Sequence, residues 1–357
     1  MEPKIVYFAK AISEHNMTKK LLISLIILAA ACSTAMAQKQ LLVGFYNLEN
    51  LFDTIDDPHK NDNDFLPSAK NSWNTEKYTN KMNNMAKVIA SMNDNKGADV
   101  LGMCEVENET VLKDLTVNKQ LKKMKYGYVH FEGPDERSID NALIYQTKKL
   151  SVVSASTYPV IFKENPNSKT RDILMVKLMV KKSKATFLVL VNHFPSRLGG
   201  ETESAPKRNN AASVLRGIYD SLSKADPSLP VIMVGDFNDY PTNESIQKVL
   251  NAKGHVNELL VNDLFNAMYE LHEQKKGSHF YRGEWGTLDQ IILSNNLVNC
   301  TGKICYKPAS VTIYKQEWML EQEGKYKGSP LRTFVGAKYL NGYSDHLPVY
   351  ITVEIKK

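Results

Sequence analysis

The feature that most constrains this chain is a set of short apolar runs that stop abruptly at polar residues. Met103-Cys104 runs into Glu105, Val191 into Asn192 and His193, and Val234-Gly235 into Asp236, Phe237 and Asn238. Runs of this length read as strands, and strands apolar throughout are those covered on both faces. A carboxylate at the end of a buried strand is costly unless a charge partner or a metal compensates it. One such acid is commonplace. Several, each closing a different strand, point to one shared site at one edge of the sheets.

The rest of the chain supplies matching elements. Segments 40–46, 99–103, 141–145, 174–180, 187–191, 231–234, 288–293 and 349–353 read as strands, and 209–222 as a helix. Over 75–92 the residues Tyr78, Met82, Met85, Val88 and Ile89 recur at spacings of three and four, which predicts a second helix. No internal repeat and no Pro/Gly/Ser-rich linker divides residues 38–357. A chain of 357 residues carries a prior of about two domains, but here a single α/β domain is expected, with two sheets and helices outside them. Hydrophobic residues at 43% and charged residues at 24% exclude a disordered, collagen-like or polytopic membrane chain. A net charge of +6 is too mild to indicate nucleic-acid binding by itself.

The N-terminus reads differently. Met17-Thr18-Lys19-Lys20 precedes an apolar run from Leu21 to Cys32, broken by Ser24 and too short to span a bilayer as a helix. It fits the h-region of a secretory signal, with Ala35-Met36-Ala37 as an A-x-A cleavage site. The expectation is a signal peptide over 1–37, with 1–16 an over-called start before Met17, and an exported protein, periplasmic or extracellular. A lipoprotein attached through Cys32 is one alternative, although Ala29-Ala30-Ala31 lacks the leucine usual three positions before that cysteine. A buried N-terminal helix is the other. Cys104, Cys300 and Cys305 remain in the mature chain, an odd number that makes no disulfide framework. Cys300 and Cys305 are close enough to close a small loop, and nothing in their spacing indicates zinc.

The polar segments form an ordered series. They are Tyr46-Asn47-Leu48-Glu49-Asn50, Cys104-Glu105-Val106-Glu107-Asn108, Arg137-Ser138-Ile139-Asp140-Asn141 and Asn192-His193-Phe194-Pro195-Ser196-Arg197. Then follow Gly235-Asp236-Phe237-Asn238-Asp239, Leu288-Asp289-Gln290 and Tyr343-Ser344-Asp345-His346-Leu347-Pro348-Val349. In order and content the series resembles the endonuclease/exonuclease/phosphatase superfamily. That superfamily includes pancreatic-type deoxyribonucleases, abasic-site endonucleases, bacterial sphingomyelinases and inositol-phosphate phosphatases. The G-D-F-N and S-D-H-x-P-V pieces are the most specific, and the resemblance covers about residues 40–355. It implies a four-layer α/β sandwich, two mixed β-sheets packed face to face with helices on the outside.

The resemblance also implies a chemistry. Phosphodiester hydrolysis needs a nucleophilic water, an acceptor for its proton, neutralisation of the non-bridging oxygens and help for the leaving alkoxide. A hard divalent cation with oxygen ligands suits the charge neutralisation. By resemblance Glu105 would hold Mg²⁺ or Mn²⁺, with Ca²⁺ as a further candidate, aided by Asn47 and with Asp345 on the second side. Asp236 would orient or deprotonate the water, and Asn238 would hold the water or the phosphate. His346 would contact the scissile phosphate, oriented by Asp289, and that pair would favour an imidazolium. His193 resembles a second histidine of the deoxyribonuclease and sphingomyelinase branches. Arg137, Asp140 and Asn192 are candidate substrate contacts, Arg137 by bidentate pairing with phosphate.

Two regions are less informative. The Asp- and Asn-rich stretch 53–64 lacks the spacing of a calcium loop and reads as a solvated loop. The 306–342 insertion carries Trp318, Lys325, Lys327, Arg332 and Phe334, aromatic and basic residues suited to a nucleic acid or a lipid headgroup. The expected function is an exported metal-dependent phosphoesterase that cleaves phosphodiesters, of nuclease type, acting as a monomer with nucleic acid as substrate and no protein partner. A sphingomyelinase-like phospholipase or inositol-phosphate phosphatase is the runner-up, and a non-catalytic binding module on the same fold is a third reading.

Overall fold

The computed structural model describes residues 39–162 and 164–356. The N-terminal signal reading, residues 1–37, lies outside the described residues. The first sheet holds β1 (Lys39–Leu51), β2 (Val100–Val106), β3 (Tyr126–His130), β4 (Asp140–Gln146), β14 (Ile304–Tyr306), β15 (Thr312–Ile313) and β18 (Val349–Ile355). The second holds β5 (Leu150–Tyr158), β6 (Ile173–Val180), β7 (Thr186–His193), β8 (Val231–Asp236), β9 (Ala252–Lys253), β10 (Leu264–Asn266) and β13 (Asp289–Ser294). Two small hairpins pair β11 (His279–Tyr281) with β12 (Glu284–Gly286), and β16 (Phe334–Val335) with β17 (Lys338–Tyr339).

The strand orders are β14-β18-β1-β2-β4-β3, with β15 on β18, and β5-β6-β7-β8-β13-β10-β9. Both sheets are mixed: β1/β2 and β7/β8 run parallel, β2/β4 and β8/β13 antiparallel. Strand alternation explains how β1 serves two cores. Leu41, Val43 and Phe45 face the second sheet, where they join Val189, Val191, Val234 and Ile291. Leu42, Tyr46 and Leu48 face outward, onto α1 (Thr75–Asn95) and α2 (Glu109–Val117). On the far side, α3 (Glu201–Ala225) covers the second sheet through Ala211, Ala212, Leu215 and Ile218. The result is helix, sheet, sheet, helix, the four-layer sandwich expected.

Local chemistry explains the details. The Met82, Met85, Val88 and Ile89 stripe is the buried face of α1, and Asn74 and Asn108 cap α1 and α2 by accepting from Lys77 N and Val111 N. Gly102 lies against Val191 and Val234 of the second sheet. A Cβ there would sit 2.7 Å from Val234 Cγ2, so a side chain would push the layers apart.

Cys300 and Cys305, whose state the sequence leaves open, are disulfide-bonded, while Cys104 is buried in the central core. The count is odd because one of the three cysteines serves as a core residue. The 53–64 stretch is not simply solvated. Asp53 and Asp62 are buried and accept backbone N–H groups, Asp53 from Ile55 and Asp62 from Asp57.

Candidate active site

The apolar runs end at one level. In register, His193 on β7 pairs with Asp236 on β8, and Asp236 pairs with Asp289 on β13. From the facing sheet, β1 and β2 bring Asn47 and Glu105 to the same edge, with Asn47 opposite Cys104. The pairing of β1 with β2 shifts register between Asn47 and Leu51, and Glu49, Asn50 and Glu105 take φ of 50°, 56° and 60°. Asn238 and Ser138 do the same at 50° and 57°. Left-handed backbone at non-glycine residues costs energy, and such residues cluster at functional sites. Gly235 has a separate reason: a Cβ there would lie 2.3 Å from Asn192 O, so the close β7/β8 approach needs glycine.

The side chains form a connected set. His346 Nδ1 is 2.7 Å from Asp289 Oδ2, which also accepts from Ser278 Oγ. His346 Nε2 lies 3.9 Å from Asp236 Oδ2, as does His193 Nε2. Asn47 Nδ2 donates to Asp236 Oδ2 at 3.2 Å, and Asn238 N donates to Asp236 Oδ1 at 2.9 Å. Asn238 Nδ2 donates to Phe194 O, which ties the loop after β8 to the loop after β7. Below it, Asp239 lies 2.7 Å from the Nε of the fully buried Arg208 and accepts from Ser245 Oγ.

Burial divides the charges. It works against the imidazolium of His346, but Asp289, followed by Asp345 and Asp236, holds that pKa well above the ordinary value. Burial, reinforced by Asp289 and opposed by His346, pushes Asp236 up to about 6. Burial, helped by Arg171 and Arg137, pushes His193 well below the ordinary value, so it is neutral at pH 7. The His279 ring lies 4.6 Å from that of His346, tilted by 37°, and burial together with that cation pushes it down to about 4.

The oxygen donors suit a hard cation at Glu105. Its Oε2 accepts from Asn50 N at 2.9 Å, while Oε1 lies 4.0 Å from His193 Nε2 and 3.4 Å from Arg137 Nη2. Asn47 Oδ1 accepts from Glu49 N at 2.9 Å and keeps a second lone pair. Glu105 and Asn47 thus offer oxygen donors of the kind a divalent ion takes. Arg137 joins this edge through Glu105 and through Asn50 Oδ1, to which it donates at 2.9 Å.

Asp345 Oδ2 accepts from Arg332 Nη2 at 2.8 Å, while Asp345, His279 and His346 lie close enough together to hold a cation. Two other assignments change. Asp140 turns toward His130, whose Nε2 is 3.4 Å from Asp140 Oδ2. Asn192 is fully buried and donates through Nδ2 to Leu190 O and Val234 O, which makes it a clamp between strands rather than a substrate contact. Sequence reasoning also missed members. Glu49, two residues after Asn47, is buried against Lys81 and Arg332. His279 reaches His346 through an isolated bridge between distant segments, and nothing in its local sequence signals that.

A carboxylate–histidine pair, a second buried acid and a neutral histidine thus meet at the shared edge of two stacked sheets. This is the candidate active site of the four-layer sandwich. Residues 42–355 match the Endonuclease/Exonuclease/phosphatase family, and the chain belongs to it. The family comprises phosphoester hydrolases that generally use divalent metals. Among solved structures, the chain is similar to an endonuclease/exonuclease/phosphatase family protein from Bacteroides thetaiotaomicron, with 18% identity and a TM-score of 0.55 over 90% of this chain and 97% of that one. It is also similar to a mannosyl-6-phosphatase of the same organism, with 17% identity and a TM-score of 0.54 over 88% and 99% of the two chains. A D. rerio TDP2 complexed with a single-strand DNA product gives 13% identity and a TM-score of 0.54, again over 88% and 99%. No curated protein matches.

Proposed function

We propose that this protein is an exported, divalent-metal-dependent phosphodiesterase of nuclease type, working as a monomer. The observation that carries the reading is the facing of two groups: His346, held as a cation by Asp289 at 2.7 Å, stands 3.9 Å from Asp236, an acid pushed up to about 6. A base with a pKa near the working pH accepts a proton from water efficiently. Asp236 takes that role, with Asn47 and the backbone N–H of Asn238 fixing its carboxylate. The His346 imidazolium stabilises charge on a non-bridging phosphoryl oxygen, and Asp289 and Ser278 fix its ring. His193 contributes a neutral imidazole beside Asp236 and Glu105. Glu105 and Asn47 would hold a divalent ion, which would supply further neutralisation of the phosphoryl group.

The neighbouring cleft supports a polynucleotide. A cavity of about 610 Å³ lies between the β11–β12 hairpin and the 306–342 insertion, and it reaches Asp345. Tyr281 and Tyr326 line it with exposed rings, alongside Arg282, Lys325, Lys327 and Arg332. Bases stack on such rings and backbone phosphates meet such cations. A phospholipase needs an exposed apolar hairpin, whereas this one carries Arg282 and Glu284. The Cys300–Cys305 disulfide supports an oxidising compartment, as the N-terminal signal pattern does.

The test is a substrate screen with purified protein and Mg²⁺, Mn²⁺ or Ca²⁺ against plasmid and single-stranded DNA, RNA, sphingomyelin and phosphomonoesters. Metal-dependent cleavage of nucleic acid is expected. Turnover of sphingomyelin or phosphomonoesters alone would replace the nuclease reading. Mass spectrometry of protein from the native envelope should find Gln38 at the N-terminus. A lipid-modified Cys32 would show the lipoprotein form, and an intact 1–37 segment on cytoplasmic protein would contradict export.

A further inference from the structure

Beside the Asp236–His346 pair lies a second charged cluster, built around Arg332 from the 306–342 insertion. Arg332 Nε is 3.0 Å from Glu49 Oε1, and Nη2 is 2.8 Å from Asp345 Oδ2. Glu49 Oε2 accepts from Thr333 N at 2.7 Å and lies 3.7 Å from Lys81 Nζ. Lys81 is itself buried and donates to Thr333 Oγ1 and Tyr343 O. Asp345 Oδ1 stands 4.0 Å from His346 Nε2, so the cluster touches the reacting edge. A buried acid and a half-buried one, Glu49 and Asp345, both reached by one side chain, are an arrangement that takes up a divalent cation. Here one guanidinium spans both, fixed by the fork geometry that arginine brings to carboxylates. Arg332 and Lys81 already offset the two negative charges, so an added dication would leave this partly buried pocket with excess positive charge.

We propose that Arg332 is the built-in second cation of this site: it occupies the position between Glu49 and Asp345 in place of a metal ion, so the protein works with one divalent ion, at Glu105, and one arginine. Asp345 is then a socket for Arg332 and not a metal ligand. The claim rests on the phosphoesterase reading for its purpose, but the count of bound ions can be tested without any substrate.

The experiment is Mn²⁺ binding to the full chain by titration calorimetry, with free Mn²⁺ followed by electron paramagnetic resonance. The wild type should bind one ion. Arg332→Met, which keeps the bulk but removes the charge, should bind two, and Arg332→Lys should stay at one. Asp345→Asn asks the same question from the other side and should leave the single ion and its affinity unchanged within about twofold, a change of under ~0.5 kcal/mol. Thermal melting establishes which variants fold. Two ions on the wild type, a folded Arg332→Met that still binds one, or the loss of Mn²⁺ binding in Asp345→Asn would each overturn the proposal. Should Arg332→Met fail to fold, the wild-type count and Asp345→Asn still decide it. A failed nuclease screen with a correct ion count would overturn the substrate reading and leave Arg332 in place.

Discussion

The strand-end cluster and the insertion cleft lie side by side and are built on opposite principles. Asp236, Asp289, His193 and His346 are all buried, on strands or immediately beside them, with each orientation fixed by a neighbour's hydrogen bond or by the ladder. The cleft is made of a hairpin and a long loop, and its rings stand open: Tyr281 is 62% exposed and Tyr326 47%. Low dielectric and fixed geometry make the first region suited to shifting protons and stabilising charge. Exposed rings and cations make the second suited to holding a long substrate without demanding one sequence. Substitutions in the cluster should therefore lower kcat, and substitutions in the cleft should raise KM.

The largest effect should come from Glu105→Gln, which removes the charge that holds the ion. It should lower kcat by about 10³-fold or more, with melting temperature little changed. Full activity in excess chelator would break the distinction at its root. Next comes pH. Asp236 must lose its proton to act as a base, so kcat/KM should rise as pH increases through about 6 and then level, since His346 remains a cation through neutrality. A flat profile from pH 5 to 8 would remove Asp236 from that role.

The cleft should respond more weakly. Tyr281→Ala, or Lys325→Ala with Lys327→Ala, should raise KM for single-stranded DNA by roughly tenfold, the scale of one lost stacking or phosphate contact. The lysine effect should shrink as salt increases. Equal losses in kcat would mean that the cleft belongs to the reacting centre. The smallest effect concerns Glu107, which burial pushes up to about 8 and whose Oε2 accepts from Asp53 N at 2.6 Å. An unfolded glutamate titrates near ~4.3. Between that value and about 8 the native state keeps a proton that the unfolded state has lost, so stability falls as pH rises. Glu107→Gln should match the wild type near pH 5 and gain about 1–2 kcal/mol at pH 8. Equal differences at the two pH values would contradict the burial account.

The same contrast governs what the sequence made legible. The central strands and α1 were readable because burial on both faces, or on one helical stripe, leaves a periodic apolar mark. Short β3 and edge strand β5, with its scattered serines and half-exposed residues, leave a weaker mark. Asp236 and Asn238 were readable as a unit from their spacing. Asn192 was misplaced although the same rule applied: His193 faces the site, so its neighbour on β7 must face away. Arg332 was visible as a basic residue of the insertion, but its partner Glu49 is 283 positions distant, and no local pattern joins them.

The central claim is that the buried Asp289–His346 pair works as one unit on a phosphoester. Single-turnover rates for Asp289→Asn, His346→Ala and the double variant test it most directly. Each single change should cost about 10²–10⁴-fold, and the double variant should lose little more than the worse single, because groups acting together share one loss. A double variant slowed by the product of the two single factors would contradict the account.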